Sequence, residues 1–308
     1  MSKGSRKPSP RAAIDAEALL ASARATREAR NAERLARRTD GRRLFVDGAG
    51  NPVLRPAFVT YLDELGTTER LLNYDDAALR EDIRLYDRMR DLLHNEEMYD
   101  DERQRALYFS DNVVVVEPID PHPSVGADLG LFTQVFSAAV YQLNLAVNGR
   151  FLRGGIAGGM AYADGEFVTG PAHVCAVLLE EKEAVVPRVL LNDIAVGLAQ
   201  RHVEDEAPAP SAFATYLLVD QDERVFVNYL PAVFEDEGFV HAPNPRDGLV
   251  AHRDQVIAMR ARYPSGGVGE KYDWVAAYHN YVVTNSRVDN RSELYIPEAP
   301  TLTFTPFA

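Results

Sequence analysis

Two strand-length apolar blocks, each carrying one aspartate, constrain this chain more than any other feature. The first runs from Ala57 through Phe58, Val59, Thr60, Tyr61 and Leu62 to Asp63 and closes at Gly66. The second runs from Leu107 through Tyr108 and Phe109 to Asp111 and continues into the valines 113 to 116. Their β-branched and aromatic content marks both as strands. Laid side by side in one sheet, they bring both carboxylates to one edge, where hard divalent cations bound to a triphosphate find oxygen ligands. A lone aspartate in such a place ordinarily caps a helix or a turn. Two in matching contexts point instead to metal-assisted phosphoryl chemistry.

The 308 residues, 46% hydrophobic and 26% charged, suffice for one large core, or one core with attached helices. The single cysteine, Cys175, excludes an internal disulfide and fits a reducing cytosol, so a cytoplasmic protein is expected. No run approaches the ~20 apolar residues of a membrane span, and the amino end has no secretory pattern. Charge is unevenly shared: residues 1 to 43 hold 12 Lys or Arg against 5 Asp or Glu, a net of +7, and the remainder hold 21 against 41, a net of −20. So acidic a body argues against nucleic-acid binding, which needs clustered basic side chains. The basic arm, rich in Ala, Arg and Glu from Ala12 to Arg38, favours helix, with Ile14, Leu19, Leu20 and Leu35 as its large apolar residues. It is expected to be docked on another surface or solvated, with binding of an anionic partner as the alternative.

Along the chain, Arg43 to Arg55 suggests a hairpin around Asp47-Gly48 and Gly50 to Pro52. After the first strand, Thr67 or Thr68 caps a helix through Leu71, Leu79, Ile83, Tyr86, Met89 and Leu93. The stretch 106 to 117 is strand-like with a turn at Asp111-Asn112. Leu131 to Val147 is a long apolar helix ended by Gly149, and Phe151 to Met160 a glycine-rich strand. Gly170-Pro171 opens a helix to about Glu183, followed by a strand from Val185 to Leu191 and a helix from Leu191 to His202. Phe213 to Val219 and Arg224 to Tyr229 suggest a second hairpin, and helices follow near 248 to 263 and 268 to 282. Strand, helix, strand, strand, helix, strand is a ferredoxin-like layered α+β arrangement with helices covering one face. The expected division is a basic helical arm over 1–42, a catalytic domain over 43–235, and a C-terminal helical extension and tail over 236–308.

These blocks resemble, in their order and spacing over about Ala57 to Leu191, the class III nucleotidyl cyclases, and among them the bacterial pyrimidine cyclases called PycC of the Pycsar antiphage defence system. Tyr61 to Thr68 looks like the first metal motif, and Phe109-Ser110-Asp111 like the second. Arg153 to Gly158, Gly170 to Glu180 and Val186 to Leu190 match the later strand, helix and strand. The resemblance implies a ferredoxin-like cyclase fold with added terminal helices, forming a homodimer with composite active sites. It implies conversion of UTP, or else CTP, to the 3',5'-cyclic monophosphate and pyrophosphate, a signal read by a separate effector that responds to the cyclic nucleotide. It also implies two divalent cations, Mn or Mg, held by Asp63 and Asp111. The substrate would lie against Tyr61, the backbone of Glu64, Leu65, Gly66 and Thr67 at a helix start, and Leu107 and Phe167.

Departures from the family pattern matter equally. Leu107 and Phe167 fall where purine cyclases carry the Lys and the acid that read the base, which argues against adenine or guanine specificity. Val174 and Leu178 fall where the transition-state Asn and Arg stand, so another donor is required. Arg153 and Arg188 are the candidates, each with a surface ion pair as its alternative, and His173 is better assigned to packing. Lys271, Trp274 and Tyr278 share a helix face, by default an anchor, although Lys271 also has the reach to contact terminal phosphates. The histidines lack zinc spacing, and no G-x-S-x-G elbow appears. The rival function is a noncatalytic nucleotide-binding or regulatory protein on a decayed cyclase scaffold. A different metal-dependent nucleotidyl transferase is the third possibility.

Overall fold

A computed structural model describes residues 44–93, 104–109, 111–119, 127–164, 166–206, 211–235 and 244–308. The basic arm expected over 1–42 lies outside them. The described chain is mixed α+β. Strand β1 (Arg55–Glu64) leads into helices α1 (Thr67–Leu72) and α2 (Asp76–Leu93). Strands β2 (Arg105–Phe109) and β3 (Asn112–Pro118) follow, then α3 (Ala127–Ala146) and β4 (Leu152–Ala163). Next come β5 (Val168–Thr169), α4 (Pro171–Leu178) running into a π turn (Leu179–Glu183), β6 (Val189–Leu191), α5 (Asp193–Glu206) and α6 (Ala212–Tyr216). Strands β7 (Leu217–Val219) and β8 (Val225–Val227), helices α7 (Pro245–Arg262) and α8 (Gly266–Asn285), and β9 (Thr305–Pro306) complete the order.

One sheet runs β2-β3-β1-β4-β6-β8-β7-β9, with β5 paired to the end of β4. Among the described strands only the β4 to β6 contact is parallel. Strand β1 is central to the first half: it pairs antiparallel with β3 from Ala57 opposite Pro118 to Asp63 opposite Asn112. On its other side it pairs antiparallel with β4 from Arg55 opposite Ala161 to Glu64 opposite Leu152.

Helices cover both faces of this half, where one covered face was expected. On one face Phe58, Leu62, Val113, Val115 and Ile156 pack with α3 and α5. On the other, Ala57, Val59, Val114, Val116, Ala157 and Ala161 pack with Phe45 and with Ala172 and Ala176 of α4. The reason lies in β4. A Cβ at Gly155 would stand 2.5 Å from the Ala176 carbonyl oxygen and 2.7 Å from Leu179 Cβ, so glycine there lets α4 settle directly onto the strand. Burial on both sides also accounts for the unbroken aliphatic run of β3.

Three further expectations change. The second hairpin is shorter, because Phe213 to Tyr216 form α6: Ser211 Oγ accepts the Phe213 N–H at 3.2 Å and caps a helical turn that outweighs the strand preference of the aromatic residues. The first hairpin reduces to a tight loop with one bridge, Val46 to Pro52. The segment expected as a separate extension after residue 236 instead shares the main core. Leu249 and Val256 of α7, Tyr272 to Tyr278 of α8, and Leu294 and Phe304 belong to the same buried cluster as β6, β7 and β8. Trp274 and Tyr278 are its anchors, as their helical spacing suggested. Trp274 Nε1 donates to Asp220 at 2.9 Å, and the Tyr278 hydroxyl donates to Asn228 at 2.8 Å.

Candidate functional site

The register of β1 builds the site. Asp63 stands opposite Asn112 on β3 and Arg153 on β4, so three polar side chains share one row at the end of the sheet. Alternation places Tyr61 on the same face, one pleat back, and Glu64 on the opposite one. Asp111 closes the turn into β3, and its backbone carbonyl accepts the Glu64 N–H at 3.2 Å, which seats it beside the residue that follows Asp63. A chain of hydrogen bonds links the row. The Tyr61 hydroxyl donates to Asn112 Oδ1 at 2.7 Å, and Asn112 Nδ2 donates to Asp111 Oδ1 at 3.2 Å.

Arg153 supplies positive charge. Its Nε and Nη2 lie 3.4 Å from Asp63 Oδ2, and its Nε lies 2.6 Å from Glu180 Oε1. Glu180 arrives from the π turn that ends α4 and is buried, while its neighbour Glu181 is exposed. Burial raises the Asp63 carboxyl above its usual value; Arg153 opposes the shift, and the Asp111 charge adds to it. Burial pushes Glu180 up to about 7, with Arg153 opposing and Asp63 reinforcing. Tyr61 rises to about 12 through burial and then the charges of Asp63, Glu180 and Asp111. Lys271 is held below its usual value by burial and by Arg153, while Asp63 and Glu180 pull the other way. Tyr272, beside Lys271 on α8, packs edge-on against Phe151 just before β4, ring centroids 5.4 Å apart. The site therefore combines carboxylates from β1, the β3 turn and the π turn with cations from β4 and α8.

Behind it, a buried ionic cluster fixes the turn after Asp63. Glu64 accepts from Arg150 Nη1 at 2.9 Å and from the Tyr86 hydroxyl at 2.7 Å, and pairs with Arg70 at 3.1 Å. Arg70 and Arg150 both bind Asp82 of α2 as well. Gly66 then takes φ 79° at the start of α1, a left-handed conformation that glycine adopts without strain, and no atom lies within 4 Å of where its Cβ would be. An open groove lined by Arg70, Leu71, Tyr74, Leu79 and Ile83 lies on this rear side, away from Asp63.

Asp63, Asp111, Arg153, Tyr61 and Gly66 thus lie together. Two other expectations are corrected, those for the Glu64 and Leu65 N–H groups and for Arg188. The N–H groups of Glu64 and Leu65 are not free donors at a helix start: they bond the carbonyls of Asp111 at 3.2 Å and Phe151 at 2.9 Å. Thr67 is buried, and its hydroxyl donates to the Glu64 carbonyl at 2.8 Å. Arg188 is neither at this edge nor in a surface pair. It is 3% exposed, with Nη1 at 2.5 Å from Asp220 and Nη2 at 2.5 Å from Asp222. Phe167 is 57% exposed near the far end of β4, its N–H bonded to Asp164 Oδ1 at 2.8 Å. Leu107 is buried on β2 opposite Val114, in the row that also holds Tyr61. The His173 ring lies 6.4 Å from that of Tyr61, and burial lowers its pKa. Glu180 and Asn112 are the site residues that sequence reasoning missed. The acidic pair Glu180-Glu181 after an apolar helix was the available signal for the first.

Among the described residues no group of three or more His, Cys, Asp or Glu side chains is arranged to hold a metal ion. Asp63 and Asp111 are the two carboxylates at this edge that would offer oxygen ligands to a divalent cation such as magnesium. Among the described residues no helix is long and apolar enough to cross a membrane. Comparison with protein family models and with curated proteins finds no match.

Proposed function

We propose that this chain is a class III nucleotidyl cyclase that converts a pyrimidine triphosphate, UTP in preference to CTP, to its 3',5'-cyclic monophosphate and pyrophosphate. The observation that carries the reading is the adjacency of Asp63 and Asp111 at one sheet edge, opposite Arg153. The β2-β3-β1-β4 order with antiparallel contacts, and its strand-helix-strand-strand-helix-strand connection, supports the ferredoxin-like core of this family.

Attack of the ribose 3'-hydroxyl on the α-phosphate builds charge on the entering and leaving oxygens. Asp63 and Asp111 would hold Mn or Mg, which would supply Lewis-acid stabilisation of that charge. Arg153 faces the same edge and neutralises charge on the phosphate, and Gly66 leaves room for the triphosphate at the turn. The apolar Leu107 near Tyr61 offers no purine-specific contact. Exposed Phe167, Val174 and Leu178 suit burial against a second subunit, in keeping with a homodimer whose sites draw on both chains. In this reading the chain is cytoplasmic, and its product is a second messenger in antiphage defence, acting on a separate effector.

The test is incubation with each of the four ribonucleoside triphosphates and Mn, with products identified by mass spectrometry. Cyclic UMP or cyclic CMP supports the proposal. Cyclic AMP alone overturns the base specificity, and no product favours the noncatalytic alternative. Mixing an Asp63→Ala subunit with one altered between Phe167 and Leu178 is expected to restore a fraction of the activity; no recovery overturns shared sites.

A further inference from the structure

The C-terminal helix α8 brings a second cation to the site, and two sets of contacts fix where it stands. Tyr272 packs edge-on against Phe151, ring centroids 5.4 Å apart, and the Phe151 carbonyl accepts the Leu65 N–H at 2.9 Å, so α8 leans on the turn that follows Asp63. Just past that turn, Glu69 of α1 accepts from Arg262 Nη2 at 2.8 Å and from the Tyr263 hydroxyl at 2.7 Å, at the corner between α7 and α8. Tyr263 and Tyr272 stack with ring centroids 5.9 Å apart, which joins the two clasps. Lys271 therefore stands beside the Gly66 turn, half-buried and within the fields of Arg153, Asp63 and Glu180. Its bonding differs from that of Arg153. Arg153 is already engaged by Asp63 and Glu180. The Lys271 ammonium has no hydrogen-bond or ion-pair partner among the described residues, and Glu270, next to it in the chain, is exposed. Half-burying an unpaired ammonium is costly, and its three N–H donors are left for an incoming anion.

We propose that Lys271 holds the terminal phosphates of the substrate and then the departing pyrophosphate. The proposal deepens the cyclase reading and rests on it. As the ribose 3'-oxygen bonds to the α-phosphorus and its proton passes to water, the bond from that phosphorus to the bridging oxygen breaks, and its electron pair leaves with pyrophosphate. Arg153, in the strand row with Asp63, serves the α-phosphate. Lys271, on the helix alongside the turn, serves the end of the triphosphate that extends past it. Such a charge-assisted contact is stronger in a partly dry site than in water. The helices after residue 244 are then part of the site, through the same packing that merges them with the main core.

Two variants test this against the parent protein: Lys271→Met, which keeps the apolar stem and removes the charge, and Lys271→Arg, which keeps the charge. Binding of inorganic pyrophosphate in the presence of Mg is measured by titration calorimetry, which needs no turnover. Cyclic UMP serves as the control ligand, because it lacks the terminal phosphates. Lys271→Met is expected to weaken pyrophosphate binding about 10- to 100-fold, the usual worth of a hydrogen bond to a charged group, and to change cyclic UMP binding less than about threefold. In turnover of UTP with Mn, kcat/KM should fall by a like factor, and Lys271→Arg should recover most of both losses. Loss of a half-buried unpaired charge should leave the melting temperature level or raise it, whereas a merely structural lysine would lower it and leave pyrophosphate binding alone. Pyrophosphate that binds Lys271→Met as well as the parent, or that does not bind the parent, overturns this inference and leaves the cyclase reading to the product assay. A parent that binds pyrophosphate through Lys271 yet makes no cyclic product from any nucleotide overturns the cyclase reading and leaves Lys271 as a polyphosphate-binding residue.

Discussion

Replacing Arg188 with methionine should cost the protein stability and leave its chemistry alone. Arg188 and Asp220 are each 3% exposed at the side chain, and Arg188 Nη1 lies 2.5 Å from Asp220 Oδ2. Removing one partner of a buried pair typically costs about 3 to 5 kcal/mol, because the other charge is left behind in a poor solvent. Asp220 would keep two bonds, from Trp274 Nε1 at 2.9 Å and from the Gln221 N–H at 2.8 Å, which places the cost near the lower end, about 3 kcal/mol. Asp222 is 47% exposed at the side chain and adds little, since water takes over its solvation. At roughly 2 to 4 °C per kcal/mol for a domain of this size, Tm should fall by about 6 to 12 °C. Trp274 is the only tryptophan in the chain and contacts Asp220 directly, so its fluorescence through a urea titration reports both the local change and the midpoint. Adding Asp220→Asn, which removes the stranded charge, should recover part of the loss. A change under about 1 kcal/mol, or unchanged stability with lost turnover, would return Arg188 to the catalytic candidates and refute the reasoning. Arg153→Ala should instead reduce turnover severely and cost less stability, because Arg153 is partly exposed and buried Glu180, pushed up to about 7, can take a proton when its partner is removed.

Three further outcomes are expected. Asp63→Asn should abolish Mn-dependent cyclisation and raise the urea midpoint at pH 8, because burial already disfavours the ionised carboxylate; a lower midpoint would contradict that balance. Gly155→Ala should destabilise by about 1 to 3 kcal/mol and lower turnover as well, because the new Cβ displaces Ala176 and Leu179 and with them the turn bearing Glu180; a neutral result in melts and assays would mean that α4 is not seated as described. The buried pair His252 and His279 should make stability fall in acid. Tyr229 OH lies 2.8 Å from His252 Nε2, His252 Nδ1 lies 3.0 Å from His279 Nδ1, and His279 Nε2 lies 3.0 Å from the Leu294 carbonyl oxygen, so each neutral ring has one donor and one acceptor in use. Burial holds both imidazoles below the usual 6.5, and the charge of His279 lowers His252 further. The unfolded chain therefore binds protons first, and the contribution is complete above pH 6.5 and lost as pH falls below it. Glu180 works in the reverse sense between its usual 4.5 and about 7, since its folded value is raised. The measurement is thus best made in Glu180→Gln, where urea midpoints at pH 5 and pH 8 should differ in favour of pH 8; equal midpoints would refute the neutral chain.

What the sequence disclosed about this site, and what it concealed, follows from how far each interaction reaches along the chain. Asp63, Gly66 and the helix opening at Pro171 were legible because their cues are local: an apolar run ending in an acid, a glycine at a turn, a proline suited to a first helical turn. Asp111 was legible for the same reason, and its nearness to Asp63 needed only the correct assumption that β1 and β3 are neighbours. Arg188 was misplaced because its charge carries no mark of burial. Its partners Asp220 and Asp222 lie more than thirty positions away, in a turn that reads as solvated. Glu180 was missed because helical spacing assumes a fixed phase, and one π turn shifts every later residue. The same limit explains the second covered face of the sheet. Gly155, Ala157, Gly159 and Ala161 resemble a weak strand in isolation, and only the arrival of α4 turns their small size into close packing. The carboxylates were thus visible as residues, whereas the approach of Glu180 to Arg153 exists only once a helix, a π turn and a glycine-lined strand have been assembled.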